Sequence, residues 1–282
     1  MTMQPAPNQT RLWQEAYADD SSLNVRYRTH QVYTVDPVDF GRWTLERLWT
    51  GTFRPNGERV LDIGCAQAGL LRAMASHHTG WGLLAGCDQS PGMIAAGHAL
   101  TDDLPISLHV SDAQALPLSD QAFDIVMARH MLYHVPDIDR AVSEAARTLR
   151  PGGRFLATTN SSHTMPEYWE LREAAARRFP AMASAENVNA RFSLENGRAY
   201  LEPYFGQIEV HALAGTLRFP SATPFVEYFA STRALTMRPD HTDAEWRAVV
   251  DFVRAEAERI IGRKGRLDVA KLTGALLAVR AD

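Results

Sequence analysis

The residues with the plainest chemistry lie in VLDIGCAQAGLL, residues 60–71. Asp62 ends an apolar run, and Gly64, Ala66, Ala68 and Gly69 follow before a helical pattern begins. Small residues in such a turn let the backbone approach a ligand at the carboxyl end of a strand. Asp88, 24 residues after Gly64, closes the next apolar run. A carboxylate there can accept hydrogen bonds from both hydroxyls of a ribose. Asp112, after a third run, can accept one from the exocyclic amine of an adenine. Glycine-rich loops of this kind also serve dinucleotides, and Asp62 separates the two readings. A carboxylate at the loop entrance repels a pyrophosphate and attracts an ammonium. Two unit charges about 4 Å apart interact by about 4 kcal/mol at an effective dielectric near 20, so the sign of the charge outweighs the glycine count. His130, just past a fourth run, is a candidate general base, because imidazole titrates near neutrality. His134 lies four residues on, but no HExxH pattern or cysteine cluster accompanies the pair, and no metal is expected.

Bringing these groups together requires parallel strands that end side by side. Residues 58–160 supply the pattern. ERVLDIG, LLAGCD, ISLHVSD, AFDIVMA and GRFLATT read as strands, with helices over LLRAMASHH, PGMIAAGHAL and DRAVSEAARTL. Strands that are apolar throughout are buried on both faces. Their alternation with helices predicts a doubly wound parallel sheet. Further on, 164–180 reads as a helix, and QIEVHAL (207–213) and LTGALLAVRA (272–281) as strands, with helical stretches near 222–235 and 242–262 between them. The last helix opens with Thr242 and Glu245 at capping-box spacing. It carries an apolar stripe from Trp246 to Ile261, and Gly262 is expected to stop it. The chain divides into a tail and helical lid (1–54), a ligand-binding core (55–160), and cap insertions with the last two strands (161–282).

Composition sets the outer limits. The 282 residues are 45% hydrophobic and 22% charged, with a net charge of −4, which fits one or two globular domains and excludes global disorder. The mildly acidic balance argues against a nucleic-acid partner. No apolar run reaches the length of a membrane span, and MTMQPAPNQT lacks the charged and apolar regions of a secretory signal. Two cysteines, Cys65 and Cys87, make no disulfide framework, so a cytoplasmic protein is expected.

Taken together, the DIGCAQAG, GCDQSPGMI, SDAQALPL, FDIVMARHMLYHV and LRPGG stretches resemble the class I S-adenosylmethionine-dependent methyltransferases, in particular the broad type 11 group with its small-molecule enzymes. Ala66 and Ala68 stand where that pattern has its later glycines. The resemblance implies a Rossmann-like, seven-stranded α/β sheet whose last strand is inserted antiparallel. It implies S-adenosyl-L-methionine as cofactor, with Asp88 on the ribose and Gln89 and Met93 flanking the adenine. Asp62, Gly64, Ala66, Asp112, Ala113 and Arg129 complete the cofactor contacts. A small-molecule methyl acceptor would lie under the lid and cap, with Tyr17, Tyr27, Tyr168 and Arg191 as candidate contacts and His130 as base. Tyr17, Tyr27, Arg28, His30 and Tyr33 form the lid stretch, while Trp169 and Arg172 lie with Tyr168 in the cap. Neither a nucleic acid nor a membrane is an expected partner, and a homodimer is compatible with the sequence. An RNA or protein methyltransferase is the near alternative, a nucleotide-dependent oxidoreductase is disfavoured by Asp62, and a non-catalytic cofactor-binding module is the non-enzyme alternative.

Overall fold

The computed structural model describes residues 21–48, 55–183 and 187–281. Tyr17 lies outside the described residues. Two helices, α1 (Ser21–Tyr33) and α2 (Phe40–Leu48), precede the alternating unit β1 (Arg59–Ile63), α3 (Gly69–His77), β2 (Leu83–Asp88), α4 (Pro91–Thr101), β3 (Ile106–Val110), β4 (Phe123–Arg129), α5 (Ile138–Thr148) and β5 (Leu149–Asn160). Then come α6 (Pro166–Arg178), α7 (Gly197–Leu201), β6 (Phe205–Phe219), α8 (Ala222–Ala230), α9 (Arg233–Thr236), α10 (Asp243–Lys264) and β7 (Leu267–Arg280). The sheet order is β3-β2-β1-β4-β5-β7-β6. The first five strands are parallel, and β7 enters antiparallel between β5 and β6, as the resemblance implied.

The apolar strands are buried on both faces because each face carries its own core. One face packs Ile138, Ala141, Val142 and Ala145 of α5 against β4 and β5. The other packs Trp43 and Leu48 of α2, Leu71 and Met74 of α3 and Ile94 of α4. A third core has a different base. β7 pairs with β5 only over Thr273–Val279, but with β6 along Leu267–Arg280. The outer half of the β6–β7 hairpin therefore runs past the sheet. Its residues Leu217, Phe219, Leu267 and Val269 hold Tyr168, Phe225, Phe229, Trp246 and Val253 of the cap helices.

The stripe of α10 packs as read, and its capping box forms: the Thr242 hydroxyl accepts from the Glu245 N–H and Glu245 accepts from the Thr242 N–H. The helix does not stop at Gly262. It runs to Lys264 and ends at Gly265, whose φ of 75° gives the left-handed terminus that a glycine takes without strain.

The LENG turn at 194–197 fastens the cap to the end of β5. Glu195 accepts from Ser161 Oγ at 2.6 Å and from the Ser162 N–H at 2.9 Å. Desolvation pushes this carboxyl up, but the donors outweigh it and hold the pKa at about 2, below the ordinary value of 4.5. A carboxylate lowered by folding contributes stability that is complete above its unfolded value and is lost as the pH falls through the folded one. Glu195→Gln is therefore expected to lower Tm at neutral pH, with the gap to the wild type closing between pH 4.5 and pH 2 in scanning calorimetry. A gap independent of pH would contradict this account.

Candidate active site

Parallel register sets the carboxyl ends of neighbouring strands along one edge: Asp62 lies opposite Gly86 and Met127, and Asp88 opposite Val110. A cavity of about 1260 Å³ opens there. This exceeds the roughly 300–1,000 Å³ of an ordinary small-molecule site and is large enough for two ligands. The loop after β1 forms part of its wall. Gly64, Ala66 and Ala68 take φ values of 70°, 49° and 59°, so alternate residues of the turn are left-handed. At Gly64 only glycine also fits, since a Cβ would stand 2.7 Å from Met131 Cγ.

Asp88 organises this loop. Its Oδ2 accepts from the Ala66 N–H at 3.0 Å and its Oδ1 from the Ser90 N–H at 2.9 Å. Burial raises its pKa, against these backbone donors. Asp112 closes a similar turn, accepting from the Gln114 N–H and from Gln114 Nε2, both at 2.9 Å. Gly64, Ala66, Asp88, Gln89, Met93, Asp112, Ala113 and Arg129 all line the cavity, so these predicted contacts are brought together.

Asp62 is placed differently from the sequence expectation. It is fully buried beneath the loop and does not line the cavity. Neither carboxylate oxygen accepts a hydrogen bond, and Arg129 Nε stands 3.5 Å from Oδ2. Burial raises the Asp62 pKa, and Arg129 opposes that shift. The acid acts on the cavity through its field and through Arg129, not by contact.

His130 follows Arg129 with a φ of 50°, its N–H donating to the Thr158 carbonyl at 2.9 Å. Its ring lies 5.5 Å from Phe40 and 6.5 Å from Tyr133. Burial, then Arg129 and His30, push its pKa down to about 3. His30 on α1 is lowered to about 4 by burial, Lys271 and Arg26. Both imidazoles are neutral at pH 7. His134 lies in the short turn Leu132–His134, its ring edge-on to Tyr133 at 4.5 Å. Among the described residues no group of three or more His, Cys, Asp or Glu could hold a metal ion. Cys65 and Cys87 are free and buried, and burial pushes the Cys87 thiol up to about 12.

Beyond these groups the cavity continues into the cap. Tyr27 and Tyr168 line it, with the Tyr168 hydroxyl 3.1 Å from Thr232 Oγ1 and its ring 5.8 Å from Tyr228. Arg191 does not line it. Its guanidinium donates to the carbonyls of Tyr133, Val135 and Pro136 at 2.7–3.0 Å, so it clamps the loop after β4, which corrects its assignment as a substrate contact. Several lining residues escaped the sequence reading. Gln114 braces Asp112, while the segment after α1 is tied down by the Val35 N–H on the Thr216 carbonyl and by Lys271 Nζ on Thr34 Oγ1, each at 2.9 Å. Lys271 stands between Ala270 and Leu272, one residue before the stretch read as a strand, and a cation between apolar neighbours was the available signal.

A doubly wound sheet with a ligand cavity at its carboxyl edge defines a nucleotide-binding class of fold. Residues 61–157 match the family model described as "Methyltransferase domain". The chain is 36% identical over 107 residues to a ubiquinone biosynthesis O-methyltransferase of Coxiella burnetii, covering 37% of this chain and 44% of that protein. It is 30% identical over 158 residues to a demethylmenaquinone methyltransferase of Corynebacterium glutamicum, covering 54% and 64%. The first of these matches thus spans less than half of the relative's length. Among solved structures, phosphoethanolamine N-methyltransferase 2 of Haemonchus contortus, in complex with S-adenosyl-L-methionine, shares the fold with a TM-score of 0.52 at 22% identity, over 86% of this chain and 53% of that one.

Alanine in a left-handed conformation is strained by about 1–2 kcal/mol, more than the roughly 0.5–1 kcal/mol of extra chain entropy that glycine loses on folding. Ala66→Gly is therefore expected to stabilise the protein by about 0.5 kcal/mol in urea unfolding. A destabilised variant would show that the methyl group is a packing contact and the turn is relaxed.

Proposed function

We propose that the chain is an S-adenosylmethionine-dependent methyltransferase acting on a small molecule. The observation that carries this reading is one cavity with two ends: strand-end groups suited to the cofactor at one, and an aromatic lobe built by the cap at the other. The residues present fit the cofactor. Arg129, which lines the cavity while its Nε faces Asp62, suits the carboxylate of a methionine moiety, and the buried Asp62 favours its ammonium. Asp88 retains acceptor capacity for the ribose hydroxyls, and Asp112 for the adenine amine. Bound there, S-adenosylmethionine supplies an electrophilic methyl group. The demethylmenaquinone named for one relative, the ubiquinone biosynthesis named for another, and the cofactor named for the structural neighbour support a small acceptor and this cofactor. The cavity is walled by α1 and the cap helices as well as by the strand ends, which favours a small acceptor over an RNA or protein.

The protein's part in the reaction is alignment, exclusion of water and management of one proton. His130 cannot remove a proton from a free hydroxyl or amine beforehand, because its pKa lies near 3. Its neutral ring can accept a hydrogen bond from the acceptor. When the acceptor is a hydroxyl, the ring can then take the proton as the oxygen is alkylated, because the protonated ether is far more acidic than the imidazolium.

Three measurements test this. Calorimetry should show binding of S-adenosylhomocysteine and none of NAD, and Asp88→Ala should weaken that binding by about 1–3 kcal/mol. Binding of NAD alone would sink the reading. Methyl transfer should proceed with a kcat that shows no titration limb near pH 6.5. His130→Ala should lower kcat by about 10²–10⁴-fold with cofactor affinity intact. An unchanged kcat would leave alignment alone as the catalytic device.

A further inference from the structure

The cap lobe of the cavity is charged in one sense only. Among the described residues that line the cavity from Asn160 onward, none is acidic, while Arg172 and Lys271 are cationic. The lining acids Asp36, Asp39, Asp88 and Asp112 all come from the loop after α1 or from the strand ends. Arg172 is the more telling cation. It sits on α6 with 3% of its surface exposed, and it forms no ion pair with a carboxylate among the described residues. One nitrogen, Nη2, donates to the Leu235 carbonyl at 3.3 Å, and Nη1 has no hydrogen-bond partner. The guanidinium carbon lies 5.4 Å from the Trp169 ring, and burial pulls the pKa down. A buried guanidinium without a paired counter-ion is among the least favourable groups a fold can hold, and a hydrophobic residue of similar volume would serve packing better. Its retention is explained if a ligand brings the missing anion.

We infer that the methyl acceptor is an aromatic carboxylate, held by its carboxylate on Arg172 and by its apolar body between Met165, Tyr168, Trp169 and Tyr228. The step rests on the methyltransferase reading above and adds the acceptor's chemical class. A planar carboxylate suits the fork of a guanidinium, and it would supply the counter-ion that no carboxylate among the described residues provides in contact with Arg172. A phosphate would need further donors, and the hydroxyls of Tyr168, Thr232 and Thr236 are engaged with one another at 3.0–3.1 Å. Lys271, which donates to Thr34 and pairs with no acid among the described residues, adds a positive field to the same lobe. Arg172 is thus a specificity-determining residue that places the acceptor, and it takes no part in the proton transfer assigned to His130.

The test uses the full chain saturated with S-adenosylhomocysteine and titrated by calorimetry with benzoate, phenylacetate and indole-3-acetate, each against its carboxamide. At least one acid should bind the wild type about tenfold or more tightly than its amide. Arg172→Met should abolish that preference, leave S-adenosylhomocysteine affinity unchanged, and keep or raise the Tm of the ligand-free protein. Arg172→Lys, which keeps the charge and loses the fork, should retain only part of the preference. Equal binding of acids and amides, no binding of any acid, or a preference that survives in Arg172→Met would overturn the inference. So would loss of the preference only through a large fall in Tm in both variants, which would make Arg172 a structural element. Failure of S-adenosylhomocysteine itself to bind would instead strike the methyltransferase reading. The two failures are therefore separable.

Discussion

Asp62 sits near the end of β1, fully buried, and the nearest charge is Arg129 of the adjoining β4, whose Nε stands 3.5 Å from Oδ2. Breaking a buried pair by removing one member commonly costs 3–5 kcal/mol, roughly, because the other charge is left uncompensated. The β1–β4 register is therefore an electrostatic requirement as well as a packing one. The same pair acts on the cavity through Arg129. This arginine helps to keep its chain neighbour His130 neutral, and it carries its guanidinium to the cavity wall. A ligand with both an ammonium and a carboxylate complements such a pair, whereas a pyrophosphate would meet a buried negative charge behind the loop.

Backbone strain is concentrated around the same cavity. Of the non-glycine residues with positive φ, Asp36, Ala66, His130 and Met165 line it. Each belongs to a different segment: the end of the lid, the loop after β1, the exit of β4 and the entrance to α6. Such conformations persist where surrounding structure over-determines them. Here the fixing interactions are visible: the Ala66 N–H on Asp88, the His130 N–H on Thr158, and the Met165 N–H on the Ala270 carbonyl at 2.9 Å. The cavity wall is held by backbone bonds to the sheet and hairpin and does not depend on the loops' own preferences.

The strand-end half of the cavity was legible in the sequence because its chemistry is local. Asp88, Asp112, Gly64 and His130 each stand within two or three residues of a strand end, and a parallel sheet brings such ends together by construction. Asp62 was legible as an acid but not as a buried one, since its pairing with Arg129 depends on β4, 67 residues later in the chain. The cap lobe was less legible for a related reason. Arg191 and Arg172 look alike in sequence, both cationic residues in a polar insertion. Only the fold shows that Arg191 spends its donors on three carbonyls while Arg172 retains one. Gly262 and Gly265 pose the same difficulty on a smaller scale: either can end a helix, and the turn into β7 selects the second.

The two ends of the cavity stand on separate cores, and this bears on what relatives can say. The segment matched to the methyltransferase family, residues 61–157, contains Asp62, Asp88, Asp112, Arg129 and His130. Met165, Tyr168, Trp169, Arg172, Tyr228 and Lys271 all lie outside it. They are set by the outer half of the β6–β7 hairpin, which has left the sheet and answers to the packing of the cap. A change in the cap core can therefore reshape the acceptor lobe without disturbing the strand ends, since the hairpin is paired to β5 only over its inner half. Likeness over residues 61–157 therefore says nothing of what the cap lobe holds, and the charge and shape of that lobe are particular to the segments outside the match.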